Sequence, residues 1–93
     1  MAEYRSIEPL AVKEVKIVAA TTTAQDVAIG GRPFIIQNAH DTNIVYFKEK
    51  KGVAATSTNA TILKSGTFPF QLVADTLSVV ASAATNVVIT FVE

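Results

Sequence analysis

The 93-residue sequence contains no cysteine and no tryptophan, and it has a single histidine. The absence of cysteine excludes disulfide bonds, thiolate zinc sites and cysteine nucleophiles. One histidine cannot build a multi-histidine metal site, and the acidic residues form no cluster along the chain that would hold a metal through oxygen ligands. We therefore expect this protein to use no metal and no cofactor.

An excess of charge of either sign is also missing. The 8 basic and 8 acidic side chains cancel to a net charge of zero at pH 7. Domains that bind nucleic acid through its phosphates usually carry a basic excess, so we expect no nucleic-acid partner. No apolar run approaches the roughly 18 to 20 residues of a membrane helix, and the N-terminus lacks the apolar core of a secretion signal, so we expect no membrane association.

Few residues suit catalysis. His40 precedes Asp41, and a His–Asp pair can orient a general base, but these two lie in a polar turn and no serine occupies a nucleophile-elbow pattern. Asp26 and Asp75 also fall at predicted turns, where aspartate is favoured for conformational reasons. The segment 30–32, Gly-Gly-Arg, lacks the Lys-Ser/Thr of a phosphate-binding loop and predicts a β-turn. We expect a protein that is not an enzyme.

The residues that are abundant favour strands. Threonine, valine and isoleucine are frequent, and their branched side chains suit a pleated surface better than a helix. No window of ten or more residues shows convincing helical periodicity, whereas alternating apolar segments recur between turn signals. The predicted strands cover residues 15–19, 25–29, 34–37, 44–48, 68–72, 77–81 and 87–91, with a further short edge strand near 62–63.

This spacing predicts an all-β fold, a small antiparallel β-sandwich of about seven to eight short strands with a jelly-roll-like arrangement. Residues 10–93 would form the single domain, and residues 1–9 an extended N-terminal arm. We predict a β-hairpin over 34–48 and a long mobile surface loop over 49–61. Tyr46, Phe68 and Phe70 are aromatic residues that could form a platform on which a sugar or a base stacks. We expect them in the core instead, because the sequence has no tryptophan and these three belong to alternating apolar segments.

The size of the chain predicts self-association. A domain this short buries a modest share of its surface, so burial and chain entropy nearly balance. No disulfide supplies further stability here. We therefore expect a homo-oligomer, and a trimer is the favoured state.

The order of segments resembles that of known proteins. A Thr/Ala-rich segment at 19–24 is followed by Phe-Ile-Ile-Gln-Asn at 34–38 and by Asn-Ile-Val-Tyr-Phe at 43–47. A Leu-Lys-Ser-Gly turn at 63–66 then leads to two terminal strands joined by an Ala/Thr-rich corner, within 77–90. In this order the chain resembles the small β-sandwich structural proteins of tailed bacteriophages and prophages over most of residues 19–92.

That resemblance implies a role in the virion, which is assembled in the host cytoplasm. It implies a capsid decoration or cement protein that binds the assembled head, with the major capsid protein or another virion protein as partner. The arm would act as a clamp that folds on contact with a capsid subunit or a neighbouring protomer. The predicted partner-binding residues are therefore Met1, Ala2, Glu3, Tyr4, Arg5, Ser6, Ile7, Glu8 and Pro9.

Two alternatives remain at this stage. One is a tail or head–tail junction subunit, which would associate as a ring. The other is a module that binds glycans or a host surface. The absence of tryptophan and of a polar-plus-aromatic cluster along the sequence counts against this second alternative.

Overall fold

A computed structural model describes residues 11–93, and these residues form nine strands and no helix. The strands are β1 (Glu14–Ala20), β2 (Gln25–Ala28), β3 (Pro33–Asn38), β4 (Val45–Glu49), β5 (Thr61–Leu63), β6 (Gly66–Thr67), β7 (Leu72–Val73), β8 (Thr76–Ala81) and β9 (Thr85–Phe91). The prediction of an all-β fold is confirmed. This part of the chain accordingly offers no helix of the length and apolarity that a membrane crossing requires.

The strands form two antiparallel sheets. Sheet A has the order β1-β9-β3-β6, with β7 also paired to β3, and sheet B has the order β2-β8-β4-β5. The chain doubles back around residues 50–60, so that β4 pairs with β5, β3 with β6 and β7, β2 with β8, and β1 with β9. This nested pairing, folded into two facing sheets, is the arrangement of a jelly roll, which confirms the predicted jelly-roll-like sandwich.

The core lies between the sheets and follows from strict alternation along the strands. On β8 the buried side chains of one face are Leu77, Val79 and Ala81, and on β9 they are Val87, Ile89 and Phe91. Because successive strand residues point to opposite faces, one apolar face per strand suffices to fill the space between two sheets. These positions coincide with the alternation seen in the sequence.

The predicted hairpin over 34–48 is wrong. Its two strands have nearly the predicted bounds, but β3 lies in sheet A and β4 in sheet B. The connection 39–44 crosses between the sheets, held by the buried side chain of Asn38, whose amide donates to the carbonyls of Asn43 (2.8 Å) and Leu63 (3.0 Å). Alternation identifies which residues face a core, but it does not identify the partner strand.

The predicted strand over 68–72 is interrupted. Thr67 ends β6 and Leu72 begins β7, and these two short strands pair with opposite ends of β3 on either side of Pro69, which has no N–H to donate to a ladder. Phe68 is half-buried and packs edge-on against Phe47 at 5.7 Å between ring centres. Phe70 contacts Phe68 but is 66% exposed, so its predicted place in the core is wrong.

Tyr46 also lies outside the core, half-buried on the outer face of sheet B. Its neighbours Val45 and Phe47 take the inward positions. The core placement predicted for Tyr46 is therefore wrong because the two faces of β4 are both apolar in sequence, and only one can point inward.

The segment 50–60 contains no strand, as predicted, but it is not a free loop. It folds back over sheet B and buries Ala55, whose N–H donates to the Ser78 hydroxyl at 2.7 Å. Asn59 closes the segment on itself by accepting from the Thr56 N–H and donating to the Ala54 carbonyl. The predicted long loop is therefore anchored to sheet B rather than free, and the predicted edge strand at its end is confirmed as β5.

Candidate functional site

The predicted partner-binding arm, Met1–Pro9, lies outside the described residues, and its role stays a prediction. Within residues 11–93, two surfaces of the sandwich are candidates for function. One is the outer face of sheet A, and the other is a groove on the outer face of sheet B.

The outer face of sheet A carries five apolar side chains on four strands, with polar side chains between them. Alternation that turns Val18 and Ala20 inward turns Val15 and Ile17 outward, and these two are 52% and 64% exposed. The register places Ile17 opposite Val88 of β9, but Val88 then faces Gln37 of β3, and Thr90 lies between Val15 and Ile35. The apolar side chains therefore follow a diagonal from β1 through Val88 and Ile35 to Val73 of β7, which lies opposite Pro33. We call this surface the apolar face, and it comprises Val15, Ile17, Ile35, Val73 and Val88.

The members of the apolar face differ in exposure according to their place in the sheet. Ile35 and Val88 lie on central strands and are half-buried, whereas Val15, Ile17 and Val73 lie on outer strands and are more than half exposed. Exposed apolar side chains grouped on one face of a domain are suited to contact with another macromolecule. The face is therefore suited to packing against a second protein surface.

The free edge of β1 is less suited to binding. Lys16 turns inward and its ammonium donates to the Ala28 carbonyl of β2 at 3.2 Å. Gln25 in turn donates its amide to the Ala19 carbonyl at 2.8 Å. These contacts join the edges of the two sheets, and an inward-pointing lysine is a common device against the addition of a further strand.

The second surface centres on Tyr46. Cross-strand register aligns Ile62, Tyr46 and Val80 in one row across the outer face of sheet B. The folded-back segment runs beside this row and forms with it a groove of about 390 Å³. We call it the Tyr46 groove, and its polar rim consists of the hydroxyls of Thr22, Thr56, Ser57 and Ser82.

The charged side chains at the end of β4 and the start of the folded-back segment make their contacts outside the wall of the groove. The ammonium of Lys50 pairs with Asp26 at 3.0 Å, and that of Lys48 donates to the Val53 carbonyl at 2.9 Å. Lys51 lies 3.7 Å from the Glu49 carboxylate. No acidic or basic side chain lines the Tyr46 groove itself within the described part of the chain.

A further polar cluster forms around Arg32 at the opposite end of the sandwich. Its guanidinium donates to the Glu14 carboxylate at 2.7 Å and to the Glu93 carbonyl at 3.0 Å, and it lies 4.0 Å from the centre of the Phe91 ring. The hydrogen bond and the positive charge of Arg32 lower the pKa of the Glu14 carboxyl. This cluster joins β1, β9 and the turn before β3, so its role is structural.

His40 and Asp41 do not form a catalytic arrangement in the described structure. The Nδ1 atom of His40 accepts the backbone N–H groups of Thr42 (3.1 Å) and Asn43 (3.0 Å), so it organises the crossing between the sheets. This nitrogen is therefore already engaged and does not receive an orienting carboxylate. Among residues 11–93, no three histidine, aspartate or glutamate side chains lie close enough to hold a metal ion.

The glycine pair forms the predicted turn. The N–H of Gly30 donates to the Asp75 carbonyl and that of Gly31 to the Ala74 carbonyl, each at 2.9 Å. Both glycines have positive φ values, 72° and 77°, which other residues adopt at a cost. The turn connects β2 to β3 across the sandwich, and its N–H groups are used within the chain.

Comparison with known proteins adds no relative: no family model, curated protein or solved structure matches this chain.

Sequence reasoning missed the Tyr46 groove. Its wall comes from four separate segments, near residues 22–24, 46, 55–57 and 80–82, which alternation alone does not bring together. The available signal was the alternation within β4, which puts Tyr46 on the face opposite to Val45 and Phe47.

Proposed function

We propose that this chain is a structural protein of a bacteriophage virion, a decoration or cement protein that binds the assembled head as a homo-oligomer. The observation that carries the proposal is the apolar face on the outside of a small jelly-roll sandwich. Such a face is suited to contact with other protein surfaces, including further copies of the chain.

The fold supports this proposal by analogy. Jelly rolls occur in viral capsid proteins, and they also occur in lectins and cupins, so a fold of this kind does not by itself specify a function. The resemblance in segment order favours the virion among these uses.

Symmetry supports an oligomer as the binding form. A capsid offers many equivalent positions around local symmetry axes, and a trimer placed on such an axis makes three identical contacts. Three weak contacts linked in one particle give an avidity that one contact does not reach. In this arrangement the apolar face joins the protomers and the arm, residues 1–9, holds the capsid.

The test is co-sedimentation of the purified full chain with heads from the phage that encodes it, prepared without this protein. We expect saturable binding by the full chain and weaker binding by a variant that lacks residues 1–9. The two proteins should melt at similar temperatures because the described sandwich begins after the deleted segment. Absence of binding by the full chain would overturn the decoration role, and equal binding by both would overturn the clamp.

The mass of the oligomer in solution distinguishes the decoration role from that of a tail or head–tail junction subunit. Light scattering after size exclusion at micromolar concentration should give a trimer. A hexamer or larger ring would instead favour a tail or head–tail junction subunit. A stable monomer would overturn the proposed oligomer.

A further inference from the structure

The Tyr46 groove combines an apolar floor with a hydroxyl rim. Tyr46 and Val80 are neighbours across β4 and β8, and both are half-buried, so they present a continuous apolar surface. Thr22 and Ser57 flank this surface. The groove volume of about 390 Å³ lies at the lower end of the range for small-molecule sites.

The rim has unused hydrogen-bonding capacity. The hydroxyls of Thr22 and Ser57 make no hydrogen bond to another group of residues 11–93, and neither does that of Tyr46 beside them. The Ser82 hydroxyl accepts from the Ile44 N–H and keeps its own hydrogen for donation, whereas that of Thr56 is engaged with Thr58. A hydroxyl both donates and accepts. The rim therefore offers donors and acceptors of both kinds around one aromatic ring.

From this chemistry we propose that the Tyr46 groove binds a neutral saccharide. A sugar ring has one apolar C–H face, which would pack on Tyr46 and Val80, and a periphery of hydroxyls, which would meet the rim. The absence of acidic and basic side chains from the wall disfavours a charged ligand because nothing there would balance its charge. The polar-plus-aromatic cluster that is not visible along the sequence is thus assembled by the fold.

This site is independent of the apolar face. The groove lies on sheet B and the apolar face on sheet A, so a subunit packed through sheet A leaves the groove accessible. An open groove with one aromatic ring gives weak binding, roughly millimolar for a single sugar. Several copies on one particle would strengthen attachment to a surface that carries many sugars.

The experiment is a titration of the isotope-labelled full chain with methyl glycosides of glucose, galactose, mannose and N-acetylglucosamine, followed by amide chemical shifts. We expect at least one glycoside, at up to tens of millimolar, to shift the amides of Tyr46, Ser57 and Val80–Ser82 in a saturable way. No shift at these amides with any of the four would overturn the proposal. Saturable shifts of these amides by a peptide of residues 1–10, with no shift by any glycoside, would also overturn the proposal.

Matched variants test the assignment. Thr22→Val removes a rim hydroxyl with little change in shape, and Thr23→Val does the same at a neighbouring exposed threonine outside the groove. We expect Thr22→Val to weaken binding several-fold, Thr23→Val to leave it unchanged and Tyr46→Val to abolish it. If Tyr46→Val fails to fold, the threonine pair still decides, and equal affinities for these two variants would overturn the site. The titration uses free protein without phage heads. Saccharide binding can therefore fail while head binding succeeds, and head binding can fail while saccharide binding succeeds.

Discussion

At the scale of single residues, Asn38 is the polar side chain on which the crossing between the sheets depends. It is 1% exposed, its amide donates to two carbonyls, and its side-chain oxygen accepts the His40 N–H at 2.9 Å. No buried side-chain polar atom in the described residues lacks a partner. The crossing therefore depends on a buried amide whose hydrogen-bonding groups are all satisfied.

Replacing Asn38 by alanine should destabilise the fold strongly. Three backbone groups would lose their partner, and leaving buried groups unpaired should cost about 2–4 kcal/mol in total. The free energy of unfolding, measured by urea denaturation, should fall by this amount. Asn86→Ala is the matched control because Asn86 is exposed and its side chain makes no hydrogen bond within residues 11–93, so its effect should stay within about 0.5 kcal/mol. Equal effects of both variants would contradict this role of Asn38.

The Glu14–Arg32 pair should make stability depend on acid. Arg32 lowers the pKa of Glu14 in the folded state, so this stabilisation is present above the pKa of the unfolded chain and is lost as the pH falls through the lower, folded value. We expect the melting temperature of Glu14→Gln to fall less steeply than that of the unchanged protein as the pH is lowered into the acid range. Glu49→Gln is the control. The Glu49 carboxylate lies 3.7 Å from the ammonium of Lys51, and both side chains are exposed, so this pair should contribute little to stability. A Glu14→Gln variant with the acid limb of the unchanged protein would refute the prediction.

At the scale of elements, the folded-back segment 50–60 is attached to sheet B at its middle by one buried hydroxyl, and nearer its start by Lys48 and Lys50, whose contacts reach the Val53 carbonyl and Asp26. Ser78 is fully buried on the outer side of β8, directly beneath Ala55, although this face of the sheet would otherwise meet solvent. The segment therefore acts as a cover over part of sheet B, and it also supplies Thr56 and Ser57 to the Tyr46 groove.

Removal of the Ser78 hydroxyl should open this cover without unfolding the sandwich. Ser78→Ala leaves the Ala55 N–H without its acceptor, a loss of about 1–3 kcal/mol if the segment stays in place. We expect the segment to detach locally instead, and the Ala55 amide to exchange its hydrogen much faster, by one to two orders of magnitude. Ser65→Ala, at an exposed serine with no side-chain hydrogen bond in the described residues, should leave that exchange rate unchanged. Unaltered protection of Ala55 in Ser78→Ala would show that other contacts hold the segment.

Individual strands could be predicted because their information is local. Leu77, Val79 and Ala81 alternate with other residues along one strand, and such a pattern needs no knowledge of the rest of the chain. Phe70 illustrates the limit. Its spacing from Phe68 and Leu72 is that of a strand, but Pro69 interrupts the ladder, and the ring ends on the surface.

At the scale of the whole molecule, pairing is dominated by residues far apart in sequence. Ile17 pairs with Val88, and Val27 with Leu77. Neither partnership leaves a local signal, which explains why 34–48 resembled a hairpin and why the Tyr46 groove was not foreseen. The jelly-roll arrangement was predicted from the number and spacing of the strands, whereas the register that builds both candidate surfaces became visible only in the folded chain.

The same register allows a direct test of which face joins the protomers. Ile17 and Ile62 are both isoleucines on edge strands, 64% and 54% exposed, but Ile17 belongs to the apolar face of sheet A and Ile62 to the outer face of sheet B. A buried carboxylate in an interface is costly, whereas one at an exposed position is hydrated.

If the proposed oligomer forms through the apolar face, Ile17→Glu should reduce the mass measured by light scattering at micromolar concentration to that of a monomer, and Ile62→Glu should retain the mass of the unchanged protein. Circular dichroism should show the same strand content for both variants because neither side chain contributes to the core. Dissociation by Ile62→Glu alone would assign the interface to sheet B, place the Tyr46 groove at or near a subunit contact, and overturn the arrangement proposed for the trimer.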